Sequence, residues 1–346
     1  LSGVSCELND VASKKDIASL LCNVMETNVA QKQNEELKLG TSVDDTFMTK
    51  VMDIGKVTGI IKDNGLTALN GPSAVYSNQI LCNDVMMNIT DEGLYVRKYL
   101  GRKVNAYYKI NRDDEYELIF AEPISDVIVI PKKNYVDYSK GVLKYYTGNN
   151  VLKTVNIGTL TGIIYNEVYT TTYSPDIFDI TDGQITLIRN EKEYTVIIED
   201  YKNFVVSKTA EEDSLIYNKI SFGNSKDGMN LVKLDEYDEI CILNEERKPI
   251  PFSSLKENDV LSVLLSPDRK YAEVILSAGT QFDVSFTKID TDRYISETQV
   301  YDYLDVLKKA TNTKPVIFGK SYVLYFNVFG NLIWIDKMTD EKAGVK

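Results

Sequence analysis

Residues 255–277 read LKENDVLSVLLSPDRKYAEVILS: a polar approach, a Val-centred alternating run, a Pro267-Asp268 turn and a second apolar run. Alternation with period two marks a strand with one buried face, and a turn between two such runs makes a hairpin. The same grammar recurs at 99–123, YLGRKVNAYYKINRDDEYELIFAEP, with its turn at Asp113-Asp114. It recurs again at 317–337, IFGKSYVLYFNVFGNLIWIDK, turning at Gly330-Asn331. Residues 57–69, VTGIIKDNGLTAL, add two short strands about Asn64-Gly65, a pair suited to the positive φ angles of a tight hairpin. The string TGII itself appears at 58–61 and at 161–164. Recurrence at uneven intervals predicts a divergent set of small β modules and not a tight solenoid.

Composition points the same way. Of 346 residues, 43% are apolar, enough to fill cores, and 23 are Tyr. Aromatic and branched side chains pack well on a pleated surface. The stretches 126–148 and 185–208 are also strand-rich. Helical spacing is confined to two places. Ile17, Leu20, Leu21 and Val24 form one apolar stripe behind a Ser13 cap, and Val300, Leu304 and Leu307 form another behind Ser296. The expected fold is therefore mainly β: several small antiparallel barrel- or sandwich-like modules, a short helical N-terminal segment and one helix in the last module. The expected divisions are 1–50 (helix and linker), 51–125, 126–278 (subdividing near 155 or 208), and 279–346 with a helix at 296–310 and a frayed tail.

The chain contains no histidine. That removes Ser-His-Asp and Cys-His nucleophiles, histidine bases and imidazole metal sites. The 51 acidic residues outnumber the 39 basic ones, a formal charge of −12 that repels a phosphate backbone, so nucleic acid is excluded as a partner. No stretch approaches the about 20 apolar residues of a membrane-spanning helix. The four cysteines, Cys6, Cys22, Cys82 and Cys241, lack the close pairing of zinc sites. Cys241, within EICILN, reads as a small buried hydrophobe.

Three groups of side chains remain as site candidates. Carboxylate chemistry would draw on Asp44-Asp45, Asp113-Asp114, Glu211-Glu212-Asp213 or Glu245-Glu246. A glycosidase needs two carboxyls across a cleft, whereas these acids fall in turns and are expected to be solvated. Trp334 alone supplies no tryptophan stacking platform. NSKDG (224–228) and DTDR (290–293) echo oxygen-ligand loops for calcium, through Asn224, Asp227, Asp290 and Asp292, without completing the pattern. The Tyr-rich runs AYYKI, KYYTG and VYTTTYS offer Tyr107, Tyr145 and Tyr169 to a carbohydrate or partner surface, although core packing plus surface cover is the favoured account of them.

Residues 13–27, SKKDIASLLCNVMET, resemble the closing helix of a surface-layer homology (SLH) repeat, with Ser13, Lys14 and Asp16 on its Thr-Arg-x-(Asp/Glu) positions. The segments 57–61, 100–109 and 325–333 are similar to strings that recur in the β-rich region behind SLH repeats of clostridial and other Gram-positive surface proteins. The resemblance implies an extracellular, non-enzymatic structural or display protein, associated with the S-layer. Its implied partners are cell-wall polysaccharide, held by repeats upstream, and other copies of itself. Lys14 in place of Arg offers a point charge and not a planar fork, which weakens the wall-polymer motif. Two other readings are a glycan- or host-binding module, including a phage tail or fibre protein, and a carboxylate glycosidase.

Overall fold

A strand that belongs to two sheets has to bend, and an inserted residue is the usual means. This device recurs along the chain. The computed structural model describes residues 21, 23–33, 36–39, 46–158, 160, 162–190, 193–222, 229–290, 293–302, 310 and 316–337. They are mainly β and fall into two compact units, Leu1–Asp126 and Val127–Lys346.

The first unit holds a closed barrel of strands Gly55–Asp63, Gln79–Cys82, Val85–Asn88, Lys103–Ile110 and Tyr116–Pro123. The first three form a meander, and the last two form a hairpin. Closure comes from two further pairings. The fourth strand runs antiparallel to the first, and the third meets the fifth in parallel where Asn88 faces Glu117. The first strand gives Gly55–Ile60 to the fourth and Ile61 and Asp63 to the second, with the register slipping at Lys62. The short 3-10 helix Asp91–Tyr99 crosses from third to fourth strand. Ile61, Ile80, Cys82, Met87, Val96, Leu100, Val104 and Ala106 fill the interior.

The second unit writes this plan three more times. Its first strands are Val127–Pro131 with Tyr135–Ser139, then Lys202–Ala210, then Thr280–Asp290. In each, the leading half pairs with a fourth strand and the trailing half with a second. The register shifts between those halves, at Tyr135/Asp137, Val206/Lys208 and Phe286/Lys288. The fourth–fifth hairpins are Gly183–Asn190 with Glu193–Asp200, Val260–Leu265 with Tyr271–Ser277, and Ser321–Phe326 with Leu332–Lys337. Parallel closure is present in two of them, through Ile164 opposite Ile197 and through Glu239–Leu243 beside Tyr271–Ile275. In both, the third strand is interrupted: Leu152–Asn156 then Ile163–Tyr165, and Leu231–Lys233 then Glu239–Leu243.

The hairpins at 99–123, 255–277 and 317–337 are thus equivalent elements of the first, third and fourth barrels. The two TGII strings are not equivalent. Thr58–Ile61 sits in a first strand, whereas Ile163 and Ile164 belong to a third. First strands begin at Gly55, Val127, Lys202 and Thr280, a near-even spacing that the hairpin turns alone conceal.

Two local expectations are corrected. The helix expected from Ser296 is absent over its first part: Arg293–Ser296 and Val300–Asp302 are paired strands. Ser296 Oγ accepts the Gln299 N–H at 3.0 Å, so it caps a turn and not a helix; residues 303–309 lie outside the described part. At Asn64-Gly65 only Gly65 has positive φ, 84°. Asn64 is buried, its Oδ1 holding the Leu66 and Thr67 N–H groups, and the returning strand is just Thr67–Ala68. The N-terminal helix is described only at residues 21 and 23–25, and Phe47–Val51 forms a further short helix capped by Thr46. Among the described residues no helix is long and apolar enough to cross a membrane.

Apolar clusters fill each barrel of the second unit, and one cluster is shared. Val205, Phe222 and Val260 pack with Val323, Ile333 and Trp334, so side chains on both sides of residue 279 occupy one core.

Gly183 opens a fourth strand at φ 100°, where a Cβ would fall 2.2 Å from the Glu199 carbonyl oxygen. Gly158 also has positive φ, 68°, but open space around it. Gly183→Ala should therefore destabilise the second unit by about 3 kcal/mol or more, from backbone strain plus overpacking, and Gly158→Ala by about 1 kcal/mol. Urea denaturation followed by tryptophan fluorescence measures both; equal effects would contradict this geometry.

Candidate functional site

Burying an ionisable side chain with no cation beside it is costly unless its oxygens are fully hydrogen-bonded. Asp182, at the entry to the second barrel's fourth strand, has 0% exposure. Its Oδ1 accepts from the Gly183 N–H at 2.8 Å and from Asn331 Nδ2 at 3.0 Å. Its Oδ2 accepts from Asn203 Nδ2 at 2.9 Å and from Asn327 Nδ2. Asn203 lies in the third barrel's first strand; Asn327 and Asn331 bracket the turn of the fourth barrel's hairpin. Asn327 Nδ2 also reaches Asn203 Oδ1 at 2.9 Å, and Asn327 Oδ1 takes the Phe329 and Asn331 N–H groups, both at 3.0 Å. Three consecutive barrels thereby converge on one carboxylate.

Further polar ties surround this joint. Tyr201, in the short link between second and third barrels, donates through its hydroxyl to Glu273 Oε1 at 2.6 Å. Glu273, almost fully buried, also receives Tyr271 Oη at 3.2 Å and Arg247 Nη1 at 3.0 Å. Asn166 spans the same link, its Nδ2 donating to the carbonyls of Asp200 (3.2 Å) and Leu265 (3.0 Å). Asp200 accepts from Tyr165 Oη at 2.9 Å, the Thr181 N–H at 2.6 Å and Lys202 Nζ at 3.0 Å. Lys219 Nζ links the third barrel to Asp336 of the fourth at 2.6 Å. The Tyr201 ring meets Phe329 edge-on at 5.2 Å.

Burial pushes the Asp182 carboxyl above its ordinary range, and the donors of Asn203, Gly183, Asn331 and Asn327 pull it back only in part. Burial likewise raises the Cys82 thiol to about 11, leaving it a poor nucleophile. The Tyr165 hydroxyl is raised by burial and by the neighbouring Asp200 charge. These perturbed groups serve packing and bracing.

The residues singled out from sequence are dispersed. Tyr107 stands on the first barrel's outer face, its ring stacked on Phe120 (6.2 Å, 25°) with Lys56 Nζ 5.3 Å from the ring centre. Glu26 accepts from Lys56 Nζ at 2.5 Å and from Tyr107 Oη at 3.1 Å, so this tyrosine is enclosed by its own unit. Tyr145 packs against the second barrel's core, and the Tyr169 ring lies over Gly162, where a Cβ would meet it at 2.4 Å. Asp290 is exposed beside Lys288 Nζ at 2.9 Å. Ser13, Lys14, Asp16, Asn224, Asp227, Asp292 and Asp44-Asp45 lie outside the described residues. Asp113, Asp114, Glu211, Glu212, Asp213, Glu245 and Glu246 are exposed in turns. Trp334 is core. No group of three or more potential metal-ligating side chains occurs among the described residues.

The joint was missed because nothing local marks it. Asp182-Gly183 and Gly330-Asn331 read as turn residues, and Asn203 reads as an ordinary strand position. Only pairing far apart in sequence brings them together.

In the first barrel the strand order one-two-three-five-four, closing back on one, with a short helix between third and fourth strands, defines the class, a five-stranded Greek-key barrel of the OB type; the second and third barrels repeat the third–fifth contact, and the fourth shows the order three-two-one-four-five without it among the described residues. That architecture hosts many functions and selects none. No protein-family model matches the chain, and no curated protein matches it.

Asp182→Ala strands three buried amide donors, and should cost about 3–5 kcal/mol. Asp182→Asn places an amide among amide donors and should also destabilise at neutral pH. Because the folded carboxyl is raised above its model value of 3.8, the folded state binds the proton more tightly than the unfolded chain. The stability that Asp182 contributes should therefore be greatest below that value and fall as pH rises through the folded pKa. Because Asp182→Asn lacks this titration, the wild type should lose melting temperature relative to it as pH rises through the folded pKa; a pH-independent difference, or one of opposite sign, would refute the assignment.

Proposed function

We propose that this chain is a non-enzymatic structural and display protein of a Gram-positive cell surface, working outside the cell with the barrels of its second unit braced together. The observation that carries this reading is the Asp182 joint. Buried ionisable and amide groups of three barrels are spent on holding neighbours together, while the paired acids among the described residues stand apart in solvated turns. Such joints suit a spacer that transmits load and holds its outer loops at fixed positions. The likeness of residues 13–27 to an SLH helix supports attachment at the cell wall, with wall polysaccharide held by SLH repeats and lateral contacts made between copies.

Two measurements test it. The chain expressed behind complete SLH repeats should co-sediment with purified Gram-positive walls and form associated arrays in negative-stain images. A protein that remains strictly monomeric and never sediments with walls would overturn the reading. On the free chain, limited proteolysis should spare the links near Tyr201 and Ala278 until global unfolding, and Asp182→Ala should open them to cleavage. Early cleavage there in the wild type would argue against braced barrels.

A further inference from the structure

The bend in the third barrel's first strand brings together side chains from three distant segments. Lys219 follows the barrel's second strand, Leu215–Asn218, and its N–H donates to the Val205 carbonyl at 2.6 Å. Asn258 precedes the fourth strand, and its N–H donates to the Val206 carbonyl at 2.8 Å. Adjacent residues of the bent strand thus hold the two backbones side by side. Asn258 stands at φ 70°, in the left-handed region that Asn tolerates better than most side chains. Lys219 Nζ lies 3.0 Å from Asn258 Oδ1 and 2.6 Å from Asp336 Oδ2, on the fourth barrel's last strand. The buried Tyr325 hydroxyl also donates to Asp336.

Other close lysine contacts differ in kind: Lys56, Lys132 and Lys202 meet carboxylates and hydroxyls. A carboxylate anion repels a nucleophile, whereas a carboxamide has a neutral carbon and a nitrogen that can leave once protonated. The Asn258 carbon is one bond, about 1.2 Å, from the oxygen that Lys219 already touches. Rotation about the last lysine bonds brings Nζ to an attacking distance of about 3–3.5 Å. Val205, Ile220, Val260, Val323 and Tyr325, which neighbour the three groups along the chain or across strands, belong to the shared apolar cluster. Beside such a surface an ion pair is poorly solvated, which favours passing the proton from ammonium to carboxylate. The Lys219 and Asp336 side chains keep 27% and 22% exposure, which leaves a way out to water.

We infer that Lys219 and Asn258 join in an intramolecular isopeptide bond, with Asp336 carrying the protons. Asp336 takes a proton from the Lys219 ammonium, and the neutral amine attacks Asn258 Cγ to form the new C–N bond. Asp336 passes that proton to the amide nitrogen, the Cγ–Nδ2 bond breaks, and a second proton follows from the lysine nitrogen by the same route. Ammonium leaves, Asp336 is again a carboxylate, and nothing is oxidised or reduced. The bond joins positions 39 apart and fixes the bend in the first strand covalently. Because its proton carrier belongs to the fourth barrel, it forms only after that barrel has docked. It requires nothing of wall attachment.

The test is mass spectrometry of the full chain, folded at neutral pH and then denatured and reduced. Folded wild type should be lighter than its sequence by one ammonia, about 17 Da, the nitrogen expelled by the attacking amine. A tryptic digest should contain a branched peptide holding both Lys219 and Asn258, which separates the bond from a cyclised asparagine of equal mass. Lys219→Arg, which keeps a cation beside Asp336, and Asp336→Asn, which keeps the side chain's shape, should each show the full sequence mass. A wild type that keeps its full mass and yields Lys219 and Asn258 on separate peptides would overturn the inference. So would a mass loss that persists in either variant. Neither outcome bears on wall sedimentation, which reads the scaffold proposal separately.

Discussion

The bend in each first strand is the constraint on which the architecture rests. A strand paired along its whole length with one neighbour builds an open sheet; one that changes partners midway closes it. Here the change is followed at once, inside the pairing with the second strand, by a one-residue shift of register in all four barrels, at Lys62, Val136, Ser207 and Thr287. A side chain at the shift in three of them, Ile61, Val206 and Phe286, is buried. The extra residue twists the strand, and the buried neighbour fixes the direction of that twist by packing. Once the first strand is bent, the second and third strands fall on one side and the fourth–fifth hairpin on the other. Parallel contact between third and fifth then completes the ring where it forms.

Closing barrels removes most free edges, which leaves the ends of the barrels as surfaces through which neighbours can be joined. In the second unit this junction is polar at its centre and apolar around it. Asp182 carries a charge into a place without a cation, and the arrangement is tolerable because four donors converge on two oxygens. A purely apolar junction would bind as well while leaving the angle between barrels loosely fixed. Directional bonds from Asn203, Asn327 and Asn331 demand one arrangement. The shared cluster around Trp334 supplies area, and the amides supply orientation. This division of labour suits the proposed spacer role, and it gives the raised Asp182 carboxyl a structural part at the junction.

The outward faces follow a different logic. Tyr107 was one of three tyrosines, with Tyr145 and Tyr169, that the sequence offered to a ligand, yet Lys56, Glu26 and Phe120 enclose it. The shorter amides Gln79, Asn88 and Asn111 are likewise tied to their neighbours, by strand pairing and by a hairpin turn. An aromatic run draws the eye in a sequence, but exposure depends on what the neighbouring strand presents.

The β character, the hairpins at 99–123, 255–277 and 317–337, and the turns at Asp113-Asp114, Pro267-Asp268 and Gly330-Asn331 were all legible, because alternation and turn chemistry are local properties of the chain. Lack of histidine narrowed the chemistry by composition alone. The helix expected at Ser296 failed because a 3.6-residue apolar spacing over a few residues also satisfies two short strands, and pairing with Thr280–Asp290 decided between them. TGII misled in the same manner: identical strings entered a first strand and a third, since what surrounds them differs. The near-even repeat, the partner change within each first strand and the Asp182 joint all depend on residues tens to more than a hundred positions apart. Sequence determines which segments extend and where they turn; which segments then lie side by side is a matter of global packing and hydrogen-bond closure, and only the folded chain expresses it.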